Sequence, residues 1–232
     1  ATPVPLDVGS HPNIQRRSGE LDRDTMAKLA VHYGIRLIVD ASHPYASQVR
    51  LNAKSVAAKL NLPYVSWIRP PVAPAGDFVH TAPDHESAAI LACSFGKPVL
   101  LTIGTRNLSP YVAAAEQAQV RLVARILPHE DSLHAAKLAG IRSDRIVTGR
   151  GPFSLEENLA TIRRFSIGCL VTKDSGEAGG VPAKIEAARL AACLVVVVER
   201  PRDTNEATFS SVDELVREVK VGCAKSGATQ IS

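Results

Sequence analysis

The chain has 232 residues, 45% hydrophobic, 22% charged and 4% aromatic, enough for one large or two small globular domains whose core rests on Val, Leu, Ile and Ala. A net charge of +4 and a pI of about 9.0 suit an anionic ligand, but the cations are dispersed and no Lys/Arg run of the kind that grips nucleic acid occurs. No apolar stretch reaches membrane-spanning length, and four scattered cysteines (Cys93, Cys169, Cys193, Cys223) without a C-x-x-C pair argue against a metal site or disulfide framework and for a reducing cytoplasm.

The opening ATPVPLDVG carries no Met and reads as though it begins within a fold. RLIVDA (36–41) predicts a buried parallel strand. SHPY then turns the chain, with Ser42 as N-cap and Pro44 at the first position of a helix over ASQVRLNAKSVAAKL. WIRPPVAPAGD (67–77) is proline-rich and reads as a surface crossing rather than a linker. PVLLTIG (98–104) is a strand, followed by a helix around SPYVAAAEQ. RLVARIL (121–127) and RIVTG (145–149) are strands flanking the helix SLHAAKLAG, which Gly140 stops. GPFSLEENLA opens the next helix with the capping box Ser154-x-x-Glu157. SIGCLVT (166–172) is a strand, followed by the loop KDSGEAGG, the helix VPAKIEAARLAA and the strand LVVVVE (194–199). SVDELVREV closes with a second capping box, Ser211-x-x-Glu214, and 225–232 reads as a disordered tail.

Strand–helix alternation of this kind is the signature of an α/β protein with parallel sheets. The order of units suggests two sheets, with residues 1–95 in one domain, 96–224 in the other and the break near SFGKP (94–98). In open parallel sheets ligands sit beyond the carboxyl ends of the strands, and every turn there is polar or Gly-rich. DSGEAGG is the sharpest signal: glycines let a phosphate approach the backbone, and Lys173 and Lys184 bring charge. It is neither a Walker A loop nor a G-x-G-x-x-G turn. His43 is open to a structural role or to donating a hydrogen bond or proton. Asp40 either binds a ribose hydroxyl or orients its turn. Thr102–Arg106 either cradles an anion or simply turns the chain, and Arg125 is open to an anion or a surface ion pair. Ser154 reads as a cap, while Gly151 and Pro152 read as a fixed wall for a planar ligand, with Phe153 walling it or filling core.

The same segments resemble the precorrin-6A reductase family of the cobalamin pathway, in its metal-free or cobalt form. VDASHPYASQVRLNA is similar to that family's helix entry, LLTIGTRNL to its Gly-containing strand end, and ARILP and GPFSLEENLA to further segments. LVTKDSGEAGGVPAKIEAARLAACLVVVVERP is similar to its Lys–Ser–Gly signature. The likeness runs over about 200 residues in the family's order. It implies two Rossmann-like domains with a cleft between them, NADPH as hydride donor and a tetrapyrrole acid as acceptor, one C=C bond being reduced. It implies His43 and Lys173 as proton donors or carboxylate anchors. It assigns Asp40, Ser42, Gly104, Thr105, Arg106, Ser175 and Gly176 to the cofactor, and Tyr45, Arg125, Gly151, Pro152, Ser154, Gly179 and Lys184 to the substrate. Family members begin with a further strand, Gly loop and helix, roughly 35 residues on the geometry of such a unit, which puts the cofactor affinity of the first domain in question. Two other readings stay open: a non-catalytic tetrapyrrole- or nucleotide-binding protein, and another nucleotide-dependent α/β enzyme such as a sugar-nucleotide transferase.

Overall fold

The computed structural model describes residues 11–15, 17, 19, 21–67, 76–200, 208–209 and 211–227. The chain divides into two units, Ala1–Ile68 with Asp203–Ser232, and Arg69–Arg202.

In the first unit α1 (Arg23–His32) starts at Asp22, whose side chain accepts the Thr25 N–H. Strand β1 (Ile38–Asp40) pairs in parallel with β2 (Tyr64–Trp67), Ile38 opposite Tyr64, and β2 pairs in parallel with β9 (Thr208–Phe209). Parallel neighbours need a crossover; α2 (Ser47–Lys59) supplies the first, burying Ala53, Val56 and Ala57. Helix α8 (Val212–Gly227) follows β9.

The second unit is a six-stranded, wholly parallel sheet in the order β3 (Val79–Ala82), β8 (Leu194–Val198), β7 (Cys169–Lys173), β4 (Val99–Leu101), β5 (Leu122–Ile126), β6 (Ile146–Thr148). The helices between these strands are α3 (His85–Ser94), α4 (Ser109–Ala118), α5 (Glu130–Leu138), α6 (Leu155–Arg164) and α7 (Val181–Leu190). The inner strands are buried on both faces, which is why they read as unbroken Val/Leu runs rather than as alternation. Leu100, Val123, Leu170, Val195 and Val197 pack with Ile162 of α6 and Ala187 and Ala188 of α7. A fully buried Val or Leu contributes about 1.5–3 kcal/mol, so this seam fastens α6 and α7 to the sheet.

Three expectations need correction. The break does not fall near 94–98: β3 and α3 belong to the second unit, because β3 pairs with β8 along four residues, and 203–232 belong to the first. The unit boundary after Ile68 falls in WIRPPVAPAGD, whose residues 68–75, and with them the expected surface crossing, lie outside the described residues. Helix α2 starts at Ser47 with Ala46 as N-cap, not at Ser42; Asp40 Oδ1 accepts the Ser42 N–H, and a turn from Ala46 N–H to His43 O closes first. Residues 225–227 are helical; the remainder of the expected tail lies outside the described residues.

Candidate active site

From β4 the chain runs to β5 on one side, and from β7 to β8 on the other, while β4 and β7 are neighbours. Their carboxyl ends therefore open the crevice where doubly wound sheets take ligands. Thr102 ties the two ends together, its N–H and its hydroxyl both donating to Val171 O at 2.9 and 2.8 Å.

Beside this crevice lies a cavity of about 170 Å³. Thr102 and Gly104 enter it from β4, Arg125 to Leu127 from β5, Gly149 and Gly151 to Phe153 from β6, and Gly179 and Lys184 from the segment after β7. Whole-ligand pockets run to about 300–1,000 Å³, so this space takes a substituent rather than a macrocycle or a dinucleotide.

Its charge is positive. Arg125 is 5% exposed. Its Nη2 donates to Asn158 Oδ1 at 2.8 Å, and its guanidinium carbon lies 3.9 Å from the centre of the Phe153 ring. Nη1 is buried with no hydrogen-bond partner among the described residues. Burial pushes the guanidinium down to about 10 against the opposing pull of Glu157, which leaves it charged at neutral pH. Lys184 is 8% exposed, and its Nζ donates to Gly179 O at 3.0 Å. Burial first, then the Arg125 and Lys173 charges, push its amine down to about 8. The repulsion falls on the lysine because it is the first of the pair to lose its proton. Burial, then Arg106, holds Lys173 below the ordinary lysine range. Neither Arg125 nor Lys184 is in an ion pair among the described residues, Glu157 acting on Arg125 only from further off; burying such a cation costs several kcal/mol, and folding alone gives no reason to keep two together.

The structure thus gathers Gly104, Arg125, Gly151, Pro152, Gly179 and Lys184 in one cavity. Thr105, Arg106, Ser175 and Gly176 stand on the two switch-point loops and Lys173 ends β7, none of them lining it. A side chain at Gly179 would overlap Ser175, so that loop closes only on glycine. Ser154 is a cap: its Oγ accepts the Glu157 N–H at 3.2 Å and its own N–H donates to Glu157 Oε2 at 2.7 Å. Helix α6 therefore caps itself, and the wall of the cavity is Gly151, Pro152 and Phe153 just before it.

Asp40, Ser42, His43 and Tyr45 belong to the first unit. Asp40 accepts from Ser42 N–H at 2.8 Å, Tyr64 Oη at 2.7 Å and Arg50 Nε at 3.3 Å. Three of about four acceptor sites are taken, so Asp40 orients its turn and keeps one acceptor site for a hydroxyl. The Ser42 hydroxyl is buried without a partner among the described residues. His43 is exposed, its Nδ1 accepting the Tyr45 N–H at 3.3 Å.

A match to the family described as precorrin-6x reductase CbiJ/CobK runs over residues 1–220. The chain belongs to this family. The cobalt-precorrin-6A reductase of Priestia megaterium is 30% identical over 88% of this chain and 80% of the relative. That of Methanocaldococcus jannaschii is 34% identical over 85% and 77%, and the precorrin-6A reductase of Rhodococcus erythropolis is 32% identical over 77% and 68%. A solved structure, CobK precorrin-6A reductase, superposes with a TM-score of 0.73 at 26% identity, covering 89% of this chain and 82% of that one. This precorrin-6x reductase is accordingly an oxidoreductase of cobalamin biosynthesis that acts on a C=C bond, and its reaction implies a nucleotide cofactor. Membership sets aside both the non-catalytic and the transferase readings.

One residue of the reductase escaped the sequence reading. Asn158 is fully buried, donating from Nδ2 to Phe153 O at 3.2 Å and to Ser154 O at 2.7 Å while holding Arg125 with its oxygen. The available signal was an amide on the sheet-facing side of an amphipathic helix, where an apolar residue belongs.

Proposed function

We propose that the chain reduces one macrocycle C=C bond of precorrin-6A or its cobalt form with NADPH, in the cytoplasm. The observation that carries this reading is the pair of buried cations, Arg125 and Lys184, neither closed by an ion pair among the described residues, in a Gly-walled cavity beside the switch point. The substrate is a polycarboxylate and the cofactor a phosphate ester, and both need cations.

The switch-point loops fit a dinucleotide. Gly104 has φ +80° and nothing within 4 Å of where a side chain would project, so a pyrophosphate can approach its backbone. Thr105 and Arg106 follow it, and Ser175 and Gly176 lie on the neighbouring loop. In the first unit Ser42 is the cofactor candidate and Tyr45 the substrate candidate. NADPH, when bound, supplies a hydride to one carbon of the double bond. The other carbon needs a proton. Lys173 is our donor, because burial and Arg106 weaken its hold on its own proton; His43 is the second candidate. Arg125, Lys184 and the Gly151–Pro152 wall hold and orient the macrocycle, and orientation is the main protein contribution to such a transfer.

The test is to mix the protein with NADPH and each tetrapyrrole in turn. Loss of nicotinamide absorbance, with a product heavier by two hydrogens, is expected for one of them; no loss with either refutes the reading. Lys173→Met is expected to lower kcat by about 100- to 10,000-fold with ligand affinities kept. Because the donor must be protonated, wild-type kcat falls as pH rises through the lowered lysine pKa. That limb is missing in the variant, and an unchanged kcat would move the role to His43.

A further inference from the structure

The cavity's two cations are not equivalent to a generic positive patch. Arg125 has one arm of its fork committed to Asn158 and one arm, Nη1, buried and unpartnered among the described residues. Lys184 spends one of its three donors on Gly179 O. Each therefore has a donor left for a guest. A carboxylate has two oxygens in a plane and takes one donor on each. A phosphate has three charged oxygens and is served by clusters of backbone N–H groups at a helix start. Two helix starts meet this wall: that of α6 is closed by the Ser154–Glu157 capping box and brings the Glu157 charge within reach of Arg125, and that of α7, at Gly180 beside Pro152, has a proline in its first turn and the Gly179 and Gly180 N–H groups already donated to Gly176 O and Glu177 O. The remaining walls, Ile126, Leu127, Pro152 and the Phe153 ring, are apolar, which suits the stem of an acid side chain hanging from a macrocycle.

We propose that Arg125 and Lys184 form a subsite for a single carboxylate side chain of the tetrapyrrole, and that Asn158 is the positioning residue that aims Arg125 into it. The inference rests on the reading that the ligand is a tetrapyrrole acid. Asn158 does the aiming from behind. Its Nδ2 is anchored on two carbonyls of the segment that forms the cavity wall, Phe153 and Ser154, so its oxygen can point only one way, toward Arg125. Wall and cation are thereby registered to each other, and the Phe153 ring supports the guanidinium from its face. An amide does this without neutralising the arginine; a carboxylate at 158 would satisfy the cation and abolish the subsite.

The test measures binding apart from turnover, by calorimetry, with cobalt-precorrin-6A or precorrin-6A alone and with NADP⁺ alone. Arg125→Met and Lys184→Met are each expected to weaken tetrapyrrole binding by about 10- to 100-fold, the worth of a hydrogen bond to a charged group, with NADP⁺ binding unchanged within about twofold. Asn158→Ala is expected to weaken the tetrapyrrole about fivefold, and Asn158→Asp at least as much as Arg125→Met, again without effect on NADP⁺. Weaker NADP⁺ with unchanged tetrapyrrole in the Arg125 and Lys184 variants would overturn the assignment in favour of a phosphate site. Unchanged tetrapyrrole binding in both Asn158 variants, or loss of both ligands in both, would overturn the positioning role. Selective loss of tetrapyrrole binding in a protein that shows no turnover would leave this inference standing and defeat the reductase reading instead.

Discussion

Arg50 and Arg125 are buried to nearly the same degree, at 7% and 5% exposure, yet they do opposite things. Arg50 lies 3.3 Å from Asp40, which also takes the Ser42 N–H and the Tyr64 hydroxyl. That cluster closes on itself and ties β1, α2 and β2 together. Arg125 faces an amide and an aromatic ring, with a second cation in the same cavity and an arm left over. Desolvation is similar in the two cases, so what separates scaffold from site is the counter-charge.

The largest effect that can break this comparison is on stability. Arg50→Met leaves Asp40 buried and unpaired, which is expected to destabilise the first unit by about 3–5 kcal/mol. Arg125→Met removes a buried charge that no ion pair closes among the described residues and is expected to be neutral within about 1 kcal/mol, or stabilising. Trp67, the only tryptophan, sits on β2 and reports urea unfolding of the first unit by its fluorescence; far-UV circular dichroism follows the rest. Equal losses in both variants would sink the distinction. Burial alone would raise the Asp40 pKa, but the hydrogen bonds from Ser42 and Tyr64 and the Arg50 charge together hold it below the usual carboxylate range. Its contribution is therefore present above the unfolded-state pKa and is lost as pH falls through the folded one.

A smaller effect sharpens the comparison at the other cation. Lys184 is pushed down to about 8, so its charge is present below that pH and lost above it. Tetrapyrrole affinity is expected to fall by up to about tenfold per pH unit above about 8, while Arg125 stays charged throughout. Lys184→Met should show weaker binding with that limb flattened. A limb that persists in the variant would assign the titration to another group.

How much of this was legible in the sequence follows the same physical division. The inner strands of the second unit were readable because a strand buried on both faces must be apolar throughout, and the parallel sheets and the likeness to the CobK structure show the α/β class. β3, β9 and the unit boundary were not, because short edge strands such as VHTA carry no such run and a contact between 79–82 and 195–198 leaves no local trace. Among site residues, Arg125 was legible only as a cation at a strand end, open to an anion or a surface ion pair, and Lys184 only as positive charge near the Gly-rich loop. Asn158 left only the signal of an amide on the sheet-facing side of α6, and its role was not legible because it lies in three hydrogen bonds fixed by the tertiary fold. The capping role of Ser154 was legible from its spacing to Glu157, whereas the engagement of Asp40 by Ser42, Tyr64 and Arg50 was not, because two of those partners are brought to it only by the fold.

Ser154 extends the comparison to a neutral group and carries the smallest expected effect. Its hydroxyl and N–H are both engaged by Glu157, so it belongs with Arg50 rather than with Arg125. Ser154→Ala should cost about 1 kcal/mol of stability, the usual worth of a lost N-cap, seen as a shift in the denaturation midpoint. Tetrapyrrole binding by calorimetry should stay within about twofold, because the α6 start needs only to remain helical for Asn158, one turn further on, to keep its grip on Arg125. A tenfold loss of affinity with unchanged stability would mean that the hydroxyl serves the ligand after all, and that occupancy by a neighbour does not sort structural groups from binding ones in this cavity.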